Sequence, residues 1–514
     1  MPNIDVGMAV LDGYGIAVIA FLALTVIVGV LSGRQVQKSS KRLMVAGKSL
    51  SLMFVGTMLA AQSIDGNSSL GNVGLVFEFG FWAGAAIPIG LGGCLLLTGL
   101  VYGKKLNKMA MLTLPDFYYR RFGNGAEGIS GILMMISFIV LVAGNFAASG
   151  FILEAVFGID FLWGMIIASV LVLIYTFAGG LFASAYTNIF QVYLAIGAFW
   201  VAFIFVAAGY TGVDFGEVLS STPPEYIDLS GLYDLGNGAL VNWGAIMALA
   251  LGDIVALDFM ERVFAARDPK TAQRGAFMGA GLTFLTVVPT SMIGIFMLFM
   301  VPTLENPFLA YPTFALNHVP FVIGAALLMG VLGASMSTAS GGLLAISSVM
   351  SRNIIQRDIL QRVLKRPGMN DRKLLTTTRL MMVPMMVGAF ILGYLIPQPG
   401  IYLILAFDIV FAGAWGPLTF GLFWKKANMP AALTSLISGS SLRLLMFFII
   451  PAEWAGLDTM IPPAISVILF VVVALATQKR YPGEKRHGVI DYVPPEEDII
   501  NGEDLKGYIE PSSK

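Results

Sequence analysis

The chain has 514 residues, of which 57% are hydrophobic and only 12% are charged, a balance that excludes an ordinary soluble globular protein. Its 31 basic and 31 acidic residues give a net charge of zero, so charge offers no argument for a nucleic-acid partner. The single Cys94 excludes an intramolecular disulfide and a cysteine-based metal site. His318 and His487 fall in distant parts of the chain, so a histidine catalytic or transition-metal centre is not expected.

Apolar segments of about 18 or more residues recur along the chain, and each is long enough to cross ~30 Å of hydrocarbon. They predict an all-α integral membrane protein with about 13 transmembrane helices. The segments are centred near residues 23, 63, 92, 143, 170, 198, 250, 288, 336, 386, 411, 440 and 468.

Basic residues are confined to alternate connections and to the C-terminal region, and Arg443 is the one exception among the 31. The basic segments are 33–48, 104–121, 262–274, 352–379, 425–426 and 479–514. The positive-inside rule therefore predicts a multi-pass protein of the inner or plasma membrane, with its N-terminus outside and its C-terminus in the cytoplasm. An odd number of crossings is what this assignment requires.

The second predicted span contains LAAQSIDGNSSLGNVG at 59–74. Glycine weakens a helix, and Ser and Asn compete for its backbone hydrogen bonds. We predict a helix that unwinds in mid-membrane and presents carbonyl groups to a cavity. The alternative is an unbroken helix that packs closely through Gly71 and Gly74.

The seventh span, MALALGDIVALDFMERV, contains a second interruption around Gly252 and Asp253. Two interrupted spans five helices apart fit paired five-helix repeats that each begin with a broken helix. Near the cytoplasmic end of this span, Asp258 and Glu261 lie beside Arg262 and are interpreted as a solvated ion pair.

The ninth span contains SMSTASGGLLAISS at 335–348. Hydroxyl groups at mid-membrane normally face a cavity or a partner, because lipid cannot satisfy them. Uncharged hydroxyl and carbonyl oxygens are hard ligands suited to an alkali cation. The pattern predicts an ion-coupled transporter.

Six segments together resemble the sodium:solute symporter family, which includes sodium-coupled sugar, proline, pantothenate and sialic acid carriers. The resemblance extends from about residue 34 to residue 445. It is carried by VAGKSLSLMFVGTMLAAQSI, LTLPDFYYRRFG, AGGLFASAYTNIFQ, ERVFAARDPKTAQRGAF, GASMSTASGGLLAISSVMSRNI and GLFWKKANMPAALTSLISGSSLRL.

The resemblance implies the five-plus-five inverted-repeat fold of the leucine transporter, with accessory helices. It divides the chain into an N-terminal part with the first accessory helix (1–47), a first repeat (48–210), an external loop with a second repeat (211–424), two C-terminal accessory helices (425–477) and a tail (478–514). The tail is charged and rich in Pro and Gly, and it is predicted to be mostly disordered in the cytosol.

The family's principal sodium site is carried over by motif onto five residues of this chain. The resemblance implies carbonyl ligands from Ala61, Ile64 and Ala334 and hydroxyl ligands from Ser337 and Thr338. The alternative for the two hydroxyls is a hydrogen bond back to their own helix.

One position departs from the family pattern, because many members carry Asp where this chain has Asn188. That Asp supports a second sodium site, or relays the release of the first ion, in the members that have it. We therefore expect one coupling Na⁺, with Asn188 and Ser340 forming at most a weak second ion site.

Embedded polar residues near the two breaks are expected to bind the solute, and an aspartate at this depth is by default functional. The predicted substrate residues are Ser63, Asp65, Ser68, Asn145, Asp253 and Asp408. If two of the three aspartates are ionised in one pocket, the solute carries a positive charge, as an amine or amino acid does. The alternatives are a protonated Asp, an Asp that caps a broken helix, or an ion pair with Arg443.

The sequence thus predicts Na⁺-coupled symport of a small polar organic solute by alternating access, in a lipid bilayer and without an obligate protein partner. The alternative is a proton-coupled symporter that uses an embedded Asp. A channel would need a continuous polar pore, and a sensor would need an output domain. No nucleotide-binding loop, catalytic triad or metal-ligand cluster is evident, so neither an enzyme nor a cofactor is expected.

Overall fold

The structure is a computed structural model that describes residues 13–506 and residue 508. The expected external N-terminus, residues 1–12, lies outside the described residues, as do residue 507 and residues 509–514 of the tail. The described chain is helical and has no β-strand; an isolated bridge pairs Leu50 with Ala266.

The principal helices are labelled in chain order. They are α1 (Gly13–Ser32), α2 (Leu52–Ser63), α3 (Gly66–Phe79), α4 (Phe81–Leu97), α5 (Pro115–Phe122), α6 (Asn124–Phe157), α7 (Phe161–Gly179), α8 (Leu181–Ala207), α9 (Ala239–Met247), α10 (Leu257–Ala265), α11 (Pro269–Phe284), α12 (Val287–Met300), α13 (Phe321–Val349), α14 (Asp371–Leu395), α15 (Pro399–Gly413), α16 (Trp415–Phe423), α17 (Met429–Ile449), α18 (Leu457–Ala476) and α19 (Glu496–Asn501).

Shorter helical segments connect or extend these helices. They are Gly33–Val36, Ser40–Val45, Ala46–Lys48, Thr98–Tyr102, Gly103–Lys108, Phe215–Ser221, Pro224–Ile227, Ser230–Tyr233, Leu235–Asn237, Ala248–Gly252, Asp253–Val255, Pro307–Leu309, Ala310–Asn317, Met350–Val363, Ala452–Trp454 and Gly483–Ile490.

In the described part of the chain, ten helices are long and apolar enough to cross a membrane, and two bent helix pairs bring the number to twelve. The bent pairs are Ala239–Val255 with Leu257–Ala265 and Pro399–Gly413 with Trp415–Phe423, each bent by 48°. The remaining predicted crossing consists of α2 and α3, which are 12 and 14 residues long. Neither is long enough to span alone, so the count of thirteen stays a prediction.

Apolar side chains lie on the outside of the membrane helices and polar ones are buried between them, as a bilayer requires. Helix α1 exposes Ile16, Ile19 and Ile27, whereas the polar residues in the first two turns of α3, from Asn67 to Asn72, are buried. Helix α3 packs against α4, α12 and α15, and α13 packs against α6 and α8. Two helix backbones meet at Gly71 and Gly400, where a Cβ on Gly71 would collide with the Gly400 backbone.

The described part of the tail is ordered, so the prediction of a mostly disordered extension is wrong there. Residues Gly483–Ile490 and Glu496–Asn501 form short helices, and Ile499 packs into the core. Lys41 pairs with Glu496 at 2.7 Å. The tail is charged overall, but its few apolar residues and its buried carboxylate have partners on the membrane helices.

That carboxylate belongs to Asp504, which is fully buried among three arginines. It accepts hydrogen bonds from Arg120 Nε at 3.0 Å and Arg352 Nη2 at 2.8 Å, and it pairs with Arg357 Nη2 at 2.6 Å. Burial alone raises the pKa of Asp504, but the guanidinium groups of Arg357, Arg352 and Arg120 outweigh burial and hold that pKa well below its usual range. Asp116 bonds Arg352 and Arg357 in the same cluster.

The basic connections lie on one side of the molecule, where further contacts join them: Lys48 donates to the Asn107 carbonyl, Asn107 to the Ala266 carbonyl, and Arg121 to the Lys425 carbonyl. We call this side the basic face; it comprises segments 33–48, 104–121, 262–274, 352–379 and 425–426 and the tail. The opposite face comprises connections 208–238 and 450–456, which contain no Lys or Arg.

Candidate functional site

The first predicted break is present, and the alternative of an unbroken helix is wrong. Helix α2 ends at Ser63, and Ile64 leaves helical geometry with φ −112° and ψ 62°. Asp65 then caps α3: its Oδ1 accepts from the Ser68 amide at 2.7 Å, and its own amide donates to Ser68 Oγ at 2.8 Å. This reciprocal capping box satisfies two backbone groups that a helix start would otherwise leave unpaired.

Helix α6 supplies a further partner for this cap. Asn145 Nδ2 donates to the second oxygen of Asp65, Oδ2, at 2.7 Å. Both carboxylate oxygens of Asp65 therefore accept hydrogen bonds from the protein. Of the alternatives for this residue, an Asp that caps a broken helix is the one that fits its contacts. Asn145 keeps one polar atom without a partner, since its Oδ1 is buried and accepts no hydrogen bond.

Two predicted substrate hydroxyls are held by local bonds. Ser68 takes part in the capping box, and Ser63 Oγ donates back to the Leu59 carbonyl at 3.4 Å. Ser63, Asp65, Ser68, Asn145 and Asp253 are all at most 4% exposed, so the region around the break is closed to solvent in this conformation.

The second predicted break is also present. Helix α9 gives way to a wider helical turn over Ala248–Gly252, then to a tighter turn over Asp253–Val255. Ala256 is extended, with φ −68° and ψ 129°, before α10 begins. The segment from 248 to 256 thus departs from α-helical geometry at the place where Gly252 and Asp253 predicted it.

Asp253 differs from the other two embedded aspartates because its carboxylate accepts no hydrogen bond from a nitrogen or oxygen donor among the described residues. It is fully buried. The Cys94 thiol, a weak donor, lies beside it. Asp65 and Asp253 thus mark the two breaks, one at the start of α3 and the other after α9.

Asp408 does not join them, because it forms an ion pair with Arg443. The Arg443 Nη2 donates to Asp408 Oδ2 at 2.7 Å, and Thr459 Oγ1 donates to the same oxygen at 3.1 Å. Arg443 Nη1 also pairs with Asp458 at 3.1 Å. Of the alternatives for Asp408, the ion pair with Arg443 is therefore the one that the structure shows, in place of the predicted position beside the breaks.

Two of the carried-over sodium ligands meet where α13 passes the end of α2. Thr338 Oγ1 donates to the Ala61 carbonyl at 3.3 Å, so two of the five predicted ligands are in direct contact. Ala61, Ile64, Ala334, Ser337 and Thr338 are all at most 1% exposed. Neutral carbonyl and hydroxyl oxygens in a dry position can replace the hydration shell of Na⁺.

Asn188 lies on the other side of the same hydroxyl pair. Ser337 Oγ donates to Asn188 Oδ1, Ser340 Oγ donates to the Ser337 carbonyl at 2.8 Å, and Ser184 Oγ lies 2.8 Å from Ser340 Oγ. Asn188 Nδ2 has no partner among the residues that the structure describes. An unpaired N–H donor opposes a cation, and the weak second site stays a prediction.

The polar cluster of Asp258, Glu261 and Arg262, which was expected to be solvated, is buried. Asp258, Glu261 and Arg262 are each at most 1% exposed, so the description as a solvated pair is wrong. Gln62 of α2 donates to Asp258 of α10, and Arg262 Nη1 donates to the Asp258 carbonyl at 2.8 Å. A signal was present in the sequence, since Gln62 interrupts the apolar run directly before the first break.

The halves of the two broken helices on the side of the basic face are α2 and α10, which we call the inner halves. The chain just before α2 is also joined to the end of α10 through backbone hydrogen bonds. Leu50 N donates to the Ala265 carbonyl at 3.0 Å, and Arg267 N donates to the Leu50 carbonyl at 3.1 Å. Asn107 Nδ2 donates to the Val263 carbonyl at 2.8 Å. These contacts close the path from the two breaks to the basic face.

A family model described as the sodium:solute symporter family matches residues 43–439. The human high affinity choline transporter 1 is 24% identical over 84% of this chain and 76% of its own length. A sodium/proline symporter of Staphylococcus aureus is 24% identical over 90% of this chain and 93% of its own. A solved Na⁺-coupled sialic acid symporter superposes with a TM-score of 0.74 at 17% identity, covering 91% of this chain and 98% of that one.

Proposed function

This chain belongs to the sodium:solute symporter family and is a Na⁺-coupled secondary transporter, and from that membership we propose that its solute is a small organic amine or amino-acid-like molecule. The observation that carries the proposal is the carboxylate of Asp253 at the second helix break, which is fully buried and receives no hydrogen bond from a nitrogen or oxygen donor among the described residues. The protein is not an enzyme, and no cofactor is indicated.

The solute is proposed to be positively charged because the electrostatic potential at the breaks is negative. Asp253 follows the end of α9, where helix carbonyls favour a positive group. Arg443, the basic residue within α17, is already shared between Asp408 and Asp458. An ammonium group bound at Asp253 would supply the counter-charge that the protein does not. Asn145 Oδ1, unpaired and buried, adds an acceptor for the same group.

The named substrates of the two relatives are consistent with this chemistry. One relative is a choline transporter and the other a sodium/proline symporter. Choline carries a fixed positive charge on nitrogen, and proline carries an ammonium group beside its carboxylate. A cationic nitrogen is therefore the shared feature that Asp253 would recognise.

The proposed sodium site uses Ala61, Ile64, Ala334, Ser337 and Thr338, and we propose one coupling ion. The contact between Thr338 and Ala61 supports this set. An ion at this position would bridge α2 to α13 and so couple the first break to the helix that packs against it. The proposed orientation keeps the basic face in the cytoplasm, with repeats over 48–210 and 211–424 and no obligate protein partner.

Transport then requires the inner halves α2 and α10 to separate. The contacts that hold the basic face closed are Gln62 with Asp258 and Leu50 with residues 265–267. In the proposed cycle, Na⁺ and solute bind from the opposite face, these contacts open, and the loss of Na⁺ to the cytoplasm loosens the first break and releases the solute.

The second candidate is proton coupling, and the same observation favours it. An unpartnered buried carboxyl can carry a proton instead of binding an amine. In that case solute binding would depend on pH rather than on Na⁺, and the five oxygens between α2 and α13 would have no coupling role.

The test is the thermal stability of the purified protein in Na⁺ and in K⁺ with choline, proline, a polyamine and a neutral sugar. A transported amine is expected to stabilise the protein only in Na⁺, by about 2.7 kcal/mol at a hundred times its Kd. The Asp253→Asn variant is expected to lose that response. A neutral sugar as the only Na⁺-dependent ligand would overturn the amine proposal. Stabilisation by the solute that is equal in Na⁺ and in K⁺ but changes with pH would favour proton coupling.

A further inference from the structure

A cavity of about 530 Å³ opens near the opposite face, away from the sodium ligands. Its volume lies within the range of small-molecule sites. The apolar wall comes from the outer halves of the broken helices and from α15, through Leu75, Phe79, Val241, Ile401, Ile404 and Leu405. Its polar end is Asp408, with Arg443 and Asp458.

The polar end has an excess negative charge. The two carboxylates share one guanidinium, so the three charges sum to minus one. All of the hydrogen bonds to Asp408 from the described residues reach Oδ2, and Asp408 is only 2% exposed. A charge that is largely withdrawn from water and incompletely balanced is unfavourable, and a cationic ligand beside it would offset the excess.

We propose that this cavity is a second ligand site that binds an amphiphilic organic amine from the opposite face. The ammonium lies against the carboxylates of Asp408 and Asp458 at the polar end and cancels the excess charge, while the hydrocarbon part lies against the apolar wall. The site is separate from the proposed solute site, because Ser63, Asp65, Ser68, Asn145 and Asp253 do not line it.

The position of the cavity predicts what its ligand does. Leu75 and Phe79 belong to α3, and Val241 lies on α9, so an occupant touches the outer half of each broken helix. It would hold the two halves in their present packing. The amine is therefore expected to inhibit transport without competing with the solute, and to bind in Na⁺ and in K⁺ alike.

The probes are phenethylamine and its neutral analogue 2-phenylethanol, added to the purified full chain in K⁺. Phenethylamine is expected to stabilise the protein against heat, and phenylethanol is not. Asp408→Asn removes the excess charge, and Val241→Trp fills the cavity from a position that is 46% exposed. Each variant is expected to raise the Kd of phenethylamine at least tenfold, which corresponds to a loss of ~1.4 kcal/mol of binding free energy.

The Asp253→Asn variant separates this inference from the proposed function. It is expected to keep phenethylamine binding in K⁺ while it loses the Na⁺-dependent response to the solute. Binding that survives Asp408→Asn and Val241→Trp but disappears in Asp253→Asn would overturn the second site and place the amine at the breaks. Equal stabilisation by the neutral alcohol would also overturn it.

Discussion

The Thr338 hydroxyl donates to the Ala61 carbonyl across 3.3 Å, and this contact joins α13 to the last turn of α2 just before the first break. Ser340, Ser347 and Ser348 of this helix bond to their own backbone, as Ser347 does to the Leu343 carbonyl at 2.6 Å. Thr338 instead bonds to another helix at a place where the chain unwinds. This difference makes it the first residue to test for a role in sodium binding.

Replacing Thr338 by Val keeps the side-chain shape and removes the hydroxyl oxygen. A hydrogen bond or dipole contact to a charged group contributes about 1.5–3 kcal/mol, so the Na⁺ concentration that half-saturates uptake is expected to rise about ten- to a hundredfold. The measurement is solute uptake into proteoliposomes as a function of Na⁺. Ser347→Ala on the same helix is the matched control and is expected to change the value less than twofold. An unchanged Na⁺ dependence in Thr338→Val would remove this hydroxyl from the ion site.

Asn188→Asp is expected to strengthen the weak second ion site. The substitution removes the unpaired Nδ2 donor and puts a negative charge beside Ser337 and Ser340. The Hill coefficient for Na⁺ is then expected to rise from about one toward two, its limit for two sites. Thr187→Val is the control, because Thr187 bonds only to carbonyls of its own helix. A native Hill coefficient already near two would contradict the single-ion proposal.

Gly71→Ala is expected to destabilise the protein, because the added Cβ would meet the Gly400 backbone. Overpacking of this kind typically costs about 1–3 kcal/mol. Gly388→Ala is the matched control on another membrane helix, since a Cβ there meets nothing within 4 Å. The control is expected to be neutral or stabilising by up to about 1 kcal/mol. Thermal melting in detergent measures both, and equal melting temperatures would show that the α3–α15 contact is loose.

Asp504→Asn is expected to destabilise the protein strongly at neutral pH. It leaves Arg120, Arg352 and Arg357 without their shared carboxylate, and breaking a buried pair typically costs about 3–5 kcal/mol. Because the pKa of Asp504 is lowered in the folded protein, its contribution is complete above the ordinary Asp value near 4. The contribution is lost as the pH falls below that value toward the lowered pKa.

The melting temperatures of native protein and Asp504→Asn are therefore expected to differ most at pH 7 and to converge in acid. Asp491→Asn is the control, because Asp491 pairs with Lys108 at 2.9 Å in a side-chain environment that is mostly solvent. It is expected to shift melting very little. A pH-independent difference for Asp504→Asn would mean that packing, not charge, explains the effect.

The sequence predicted the two breaks because their cause is local. Glycine, Asp and Asn in an apolar run disfavour a continuous helix whatever surrounds them, and the structure unwinds at Ile64 and near Asp253. The meeting of Ala61 with Thr338 came from the family resemblance. Local composition cannot supply it, since the two residues are 277 positions apart.

The roles of the three aspartates were beyond sequence reasoning because their partners are remote. Asp65 is held by Asn145, 80 positions away, and Asp408 by Arg443, 35 positions away. Only these contacts distinguish a cap, an ion pair and an unpartnered carboxylate. The tail was misjudged for the same reason, because overall composition says nothing of one buried carboxylate with three arginine partners.

The placement of Asp504 also sets an order of events during biosynthesis. Arg120, Arg352 and Arg357 are translated before it, and so are all the membrane helices through α18. The three arginines therefore cannot form this cluster until Asp504 has been translated. The charge balance of the basic face thus depends on a residue that lies outside the membrane-spanning part of the chain.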